Sequence, residues 1–375
     1  MKKLLLPLLL VSTLGFSQTR TSVANGNALN PLTWDCTCIP MPGENIVINH
    51  NVIMDTDFAY TSGGITINTG ASLIEDATPR NLGAFGGNFT NNGTFKMSRV
   101  AFSNSTTAYM NKGRFTSSIL LYIDSNATFD NQGKLYVNDT LGVRGTLMSS
   151  DSIVAPLILT DGTWHNNVGS KVVTDSLYNA GVFHNYDFIQ VKNDFWNSEN
   201  FMNHFMMNIG GTFFNGDSAN MDAVFLNDIL ISVGGDWLNS DVSNGNGRWC
   251  IGGQTYNSGA INGSGDYCDA NAGGIDYNTG TISSTTTYCA TSCNVGIADI
   301  SEEKKTTAYP NPTKDILSFS SAGQLTMYDV TGKTVLTKSI KANTSISLNG
   351  LNSGIYFYKL INALGETQSG KVIKE

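Results

Sequence analysis

Three of the chain's four histidines, His165, His184 and His204, stand 19 and 20 residues apart. A ladder of imidazoles at such spacing could hold a metal ion. Their offsets from the nearest asparagine landmarks differ, however. His165 is one before Asn166, His184 five after Asn179 and His204 seven after Asn197. Ligands in one column should share an offset, so isolated wall positions are expected. Asp187 and Asp194, seven apart around a turn, could face one groove and supply acid/base or calcium chemistry. The other acids are scattered. Asp187, Asp194, His184 and His204 are therefore the positions from which a polar site would be built, with solvated corner residues the expected state. No catalytic residue, metal ligand or cofactor is assigned; calcium is the one ion those carboxylates would suit. No G-x-S-x-G, H-E-x-x-H or phosphate-cradling loop is present.

Six cysteines fall into local couples, Cys36/Cys38, Cys250/Cys268 and Cys289/Cys293. The spacings lack a repeated CxxC, and the histidines do not lie beside them. Disulfides are expected, with pairing inside each couple as the simplest arrangement.

The elements that must carry these residues are short and repetitive. Charged residues make up 14%, there are 39 glycines, and long helical patterns are missing. Five segments share a frame, apolar–x–Asn followed by another apolar residue: Phe89–Phe95, Tyr109–Phe115, Phe129–Leu135, Leu177–Phe183 and Phe195–Phe201. Asn91, Asn111 and Asn131 are 20 apart, while Asn179, Asn197 and Asn215 are 18 apart; the register between 131 and 179 is looser. Such a period predicts one rung of a parallel β-helix. Glycine would supply positive φ at the corners and asparagine side chains would form ladders. The expected fold is all-β: a single-stranded right-handed parallel β-helix of about nine or ten coils, on the order of 45 Å long, followed by a small C-terminal β-sandwich.

The expected order is a signal peptide at 1–17, an N-terminal cap with the first coils at 18–80, and coils over 81–249. A disulfide-braced cap at 250–296, a linker at 297–307 and the sandwich at 308–375 complete it. Lys2 and Lys3 before the apolar Leu4 to Leu14 predict the signal peptide, too short to span a bilayer. The block from Trp34 to Leu73 is similar to the opening strands of extracellular β-helix proteins.

Net charge is −8, and the tail from Thr306 carries seven Lys against four acids, so the rest carries about −11. An acidic body disfavours nucleic acid as a partner.

That tail contains Tyr309-Pro-Asn-Pro312, an Asp329-Val-Thr-Gly-Lys333 turn, Leu351-Asn-Ser-Gly-Ile-Tyr356 and the basic end Gly370–Glu375. In this order the motifs closely resemble the C-terminal sorting domain of the type IX secretion system of Gram-negative bacteria. The resemblance implies passage through the periplasm to the outer-membrane surface or the medium. It also implies recognition by the secretion machinery, removal by its surface protease and attachment to lipopolysaccharide. Pro310, Asn311, Pro312, Gly332, Gly354 and Lys371 are the motif matches expected to carry the signal. Four Asp-Ser/Thr-apolar triplets, beginning at Asp139, Asp151, Asp175 and Asp217, resemble an O-glycosylation signal of bacteria with this route.

Parallel β-helices resembling this one include pectate lyases and related polysaccharide-cleaving enzymes, whose chemistry needs clustered carboxylates beside a base. Without that cluster, the sequence favours a non-enzymatic adhesion or structural rod at the cell surface. A polysaccharide lyase or glycoside hydrolase working in a groove is one alternative. A carbohydrate-binding surface protein, with Tyr109, Tyr122, Tyr178, Trp196 and Trp237 as a sugar-stacking stripe for extracellular polysaccharide, is another, although core packing is the expected state of the Phe and Trp frame positions.

Overall fold

A computed structural model describes residues 18–104, 108–216, 223–271, 273–290, 293, 308–319, 322–329, 333–341, 344–361 and 367–375. The proposed signal peptide, Gly332 and the Asp217 triplet lie outside the described residues. The chain divides into two units, Met1–Ile297 and Ala298–Glu375.

The first unit is built from a coil with three short strands, seen most regularly at Val182–Asn185, Phe188–Val191 and Phe195–Asn197. Along each strand burial alternates, which is the pleat's period of two. After eighteen residues the chain returns to the first face, and Asn200–Asn203 pairs in parallel with Val182–Asn185. Phe183, Ile189, Phe195, Phe201, Met207 and Phe213, six residues apart, all point inward with no exposure. Rings at equivalent positions stack, as Phe183 does on Phe201 (4.6 Å between centroids) and Phe195 on Phe213 (4.8 Å). No single coil could bury these rings alone, so each rung is held by its neighbours.

The first face is one parallel sheet of fourteen strands, from Thr19–Thr21 to Thr281–Ile282. Where a strand such as Thr94–Phe102 or Lys171–Asn179 runs on through a corner, it joins the second face to the third. The solenoid has about 12 turns, not nine or ten. Fourteen strands at the inter-strand spacing of ~4.8 Å give a stack on the order of 60 Å rather than 45 Å. The count falls short in part because an N-terminal segment without the asparagine frame, Thr19–Thr21, still pairs as a rung with Asn45–Ile48. At the other end Ala260–Ile261 pairs with Thr281–Ile282.

The looser register between 131 and 179 also has a structural cause. Asn91, Asn111 and Asn131 end strands on the first face, whereas Asn179, Asn197 and Asn215 end strands on the third. Two ladders with one local sequence frame read as a single repeat. Within an unbroken run each amide donates from Nδ2 to Oδ1 of the next rung's asparagine. On the third face these bonds link Asn179, Asn197, Asn215, Asn239, Asn257 and Asn278 at 2.7–2.8 Å.

The frame glycines do a different job from the one expected. Gly113 and Gly133 do not adopt positive φ. A Cβ on Gly133 would stand 2.3 Å from the carbonyl oxygen of Gly113, and one on Gly113 2.1 Å from that of Gly93. Close approach of successive coils therefore demands glycine there, and the left-handed region does not enter.

The second unit has two antiparallel sheets. One joins Ala308–Tyr309, Ile316–Phe319 and Ser345–Ser347; the other joins Thr334–Ile340, Gly323–Tyr328, Gly354–Ile361 and Thr367–Lys374. Leu317, Phe319, Leu325, Met327, Tyr358 and Val372 share one hydrophobic cluster.

Candidate functional site: the outer third face

Outward positions on the third face form a straight column, because each strand is in register with the next. It runs Tyr122, Gly142, Leu159, Tyr178, Trp196, Phe214, Leu238, Tyr256, Tyr277. Tyr178 lies 4.3 Å from Trp196 with rings 2° from parallel, and Trp196 lies 5.3 Å from Phe214 at 4°. Beyond Leu238, Tyr256 and Tyr277 stack at 4.8 Å and 6°. Leu159, Tyr178 and Tyr277 are 41, 39 and 54% exposed, so the column is an apolar ridge in contact with solvent.

Shallow depressions flank the ridge. One has Phe214, Leu238 and Tyr277 as its floor with Ser240, Ser258 and Thr279 beside them. Another combines Tyr122, Leu159 and Tyr178 with Thr140, Arg144 and Asp161. A third, toward the start of the chain, is lined by Phe58, Ala59, Gly83, Phe85 and Arg99. Arg144 is held in place by Asp161, 3.0 Å away.

Of the proposed stripe, Tyr122, Tyr178 and Trp196 belong to this column, whereas Tyr109 and Trp237 are core residues with no exposure. The parity of a residue in its strand decides this, and the shared frame concealed it. The sequence reading also missed Phe214, Leu238, Tyr256 and Tyr277; each stands, like Trp196, immediately before a third-face asparagine (Asn215, Asn239, Asn257, Asn278), which was the available signal.

The four polar-site positions are placed as follows. Asp187 lies between the first and second faces, where it accepts from Gly169 N (2.7 Å) and Phe188 N (2.8 Å). Asp194 lies between the second and third faces and accepts from Thr212 N at 2.7 Å. The two carboxylates thus occupy separate corners and cap separate backbone groups, so they do not share a groove. His184 does meet a partner column. It is the register partner of His165, with stacked rings 4.9 Å apart, and its ring lies 6.4 Å from that of His204. The offset argument failed because Asn179 belongs to the third face; His165 and His184 each immediately precede a first-face asparagine, Asn166 and Asn185. His204 instead follows Asn203, its ring is stacked on Tyr186 at 4.9 Å, and its Nδ1 stands 2.8 Å from Asp228.

The cysteines are all in disulfides: Cys36–Cys38, Cys250–Cys293 and Cys268–Cys289. The last two differ from the simplest pairing. Cys250 and Cys268 are register partners on adjacent rungs, and each is bonded to a cysteine of the segment that follows.

In the tail, Asn311 pins the Pro-Asn-Pro segment to the final strand. Its Nδ2 donates to Lys371 O at 2.7 Å and its Oδ1 accepts from Ile373 N at 2.8 Å. Pro310 and Pro312 line a shallow depression with Lys314, Asp315 and Glu375. Lys371 is exposed and pairs with Phe357, three residues beyond Gly354.

Comparison with known proteins identifies this unit. Residues 307–375 match the secretion system C-terminal sorting domain family. The chain is thus marked for type IX secretion, to the cell surface or the extracellular space, and engages that machinery. No curated protein matches the chain, and no solved structure does.

Proposed function

We propose that the exported protein is a rigid, non-enzymatic adhesion rod whose third face lies against an extended polysaccharide. The observation that carries this reading is the unbroken register of outward apolar residues from Tyr122 to Tyr277. A linear polymer meets a linear ridge, while the hydroxyl-bearing flanks at Thr140, Ser240, Ser258 and Thr279 suit sugar hydroxyls. Because Tyr178, Trp196 and Phe214 turn their faces to one another, they offer ring edges and apolar contact rather than flat stacking platforms. The separated Asp187 and Asp194 favour adhesion over polysaccharide cleavage.

The experiment is a glycan array and polysaccharide co-sedimentation with the purified chain and with Tyr178→Ser/Trp196→Ser/Tyr256→Ser. Binding by the parent that falls at least tenfold in the variant, with no new reducing or unsaturated ends released, supports adhesion. Cleavage at enzyme-like rates would replace it with the lyase or hydrolase reading. Removal by the surface protease and coupling to lipopolysaccharide belong to the same proposal, since the sorting tail supports them. A mass measurement of cell-bound protein lacking 307–375 and carrying added glycan would verify both.

A further inference from the structure

The outward column of the first face has a different chemistry. It runs Met110, Asp130, Met148, His165, His184, Met202, each the register partner of the next. Two of the chain's four histidines and three of its eleven methionines are gathered there. All six side chains are half-buried. His184 Nδ1 is shielded from solvent and has no hydrogen-bond partner among the described residues. A buried ring nitrogen without a partner costs free energy, and a bound ion would remove that cost.

We propose that Met148, His165, His184 and Met202 form a soft-metal site that takes monovalent copper. Thioether and imidazole ligands together select Cu(I) over harder divalent ions. The stacked rings keep their nitrogen lone pairs in nearly parallel planes, so the ion would sit beside the stack: two nitrogens each about 2.0 Å from it at a tetrahedral angle stand about 3.3 Å apart. Adjacent outward side chains are ~4.8 Å apart, so the nitrogen-bearing edges of the two rings must tilt toward each other to share one ion beside the stack. Methionine's three rotatable bonds let a sulfur from either flanking rung follow. The soft set ends at Asp130 on one side and at Leu226 on the other. His204 is engaged by Asp228, and every cysteine is in a disulfide, so no thiolate competes for the ion.

The test titrates the purified full chain, disulfides intact, with Cu(I) under ascorbate against a chromophoric Cu(I) chelator. X-ray absorption then reads the bound ion's shell. One ion per chain with both nitrogen and sulfur ligands is expected. His165→Gln/His184→Gln should weaken binding on the order of 100-fold. Met148→Leu/Met202→Leu, which conserves volume, should remove the sulfur shell and weaken binding about tenfold. The methionine pair carries the test if the histidine pair does not fold. Failure of the parent to compete for Cu(I), equal binding by the histidine pair, or a shell without sulfur would each overturn the site.

Discussion

Asn131 Nδ2 and Asn166 Oδ1 are the two loose ends of one interrupted amide ladder. Asn91, Asn111 and Asn131 are linked at 2.7–2.8 Å, and Asn166, Asn185, Asn203 and Asn227 at 2.7–2.9 Å. Between them the register position is Ser149, whose hydroxyl turns to Ser170 and to Asp151 O instead. The donor left over on one side and the acceptor left over on the other have no partner among the described residues.

Ser149→Asn should therefore join the two ladders. Two buried amide groups would gain partners, each worth about 1 kcal/mol. Denaturant unfolding should show a higher midpoint by a total of about 1–2 kcal/mol. An unchanged or lower midpoint would mean that the serine pair already compensates.

Gly133→Ala should destabilise the solenoid. Its new methyl group would meet the Gly113 carbonyl oxygen at 2.3 Å, a backbone atom that cannot swing away. Forced overpacking costs about 1–3 kcal/mol, read as a lower melting temperature. Gly70→Ala is the control for crowding, since nothing lies within 4 Å of its Cβ position; its φ of +83° makes any loss there one of backbone strain.

Stability should fall on acidification through the His184 imidazole. Its folded pKa lies below the ordinary value of 6.5, from burial first and then from His165 and His204; Tyr186 stacks on it, and Asp228 faces His204 rather than His184. The unfolded chain then binds the proton more readily than the folded one. Its contribution is complete above about pH 6.5 and is lost as pH falls through the lower folded value. His184→Gln should flatten that part of the pH–stability profile measured by urea unfolding.

Export should depend on Asn311. Replacing it by alanine removes both bonds that tie the Pro-Asn-Pro segment to Lys371 and Ile373. Secreted protein should drop and periplasmic protein accumulate in fractionated cells, as on deletion of 307–375. Normal surface delivery of Asn311→Ala would show that the prolines are recognised without this clamp.

How much was legible differs between the two units. Pro310, Asn311, Pro312 and Lys371 lie in an ordered string of motifs, and the family match at 307–375 agrees with that reading. Which atoms join them was not legible, since Asn311 and Lys371 are 60 residues apart and meet only across a folded sheet. In the solenoid, the Phe–x–Asn frame announced stacked coils. It could not announce the face, because Asn131 and Asn179 share a local pattern while ending different strands. The His184 offset failed for that reason, and the exposed stripe took in Tyr109, which lies in the core.

What the chain's sequence determined by itself is periodic: apolar residues every second position, a recurring asparagine and glycine frame, and an export tail. These follow from local geometry, since strand pleat and turn chemistry act within a few residues. Which residues share a column was decided only by the tertiary structure. Coil length varies from 17 to 26 residues, so neighbours across rungs depend on the sum of every turn before them. The ridge from Tyr122 to Tyr277 and the Met148–His165–His184–Met202 line exist because those sums bring each strand back into parallel register.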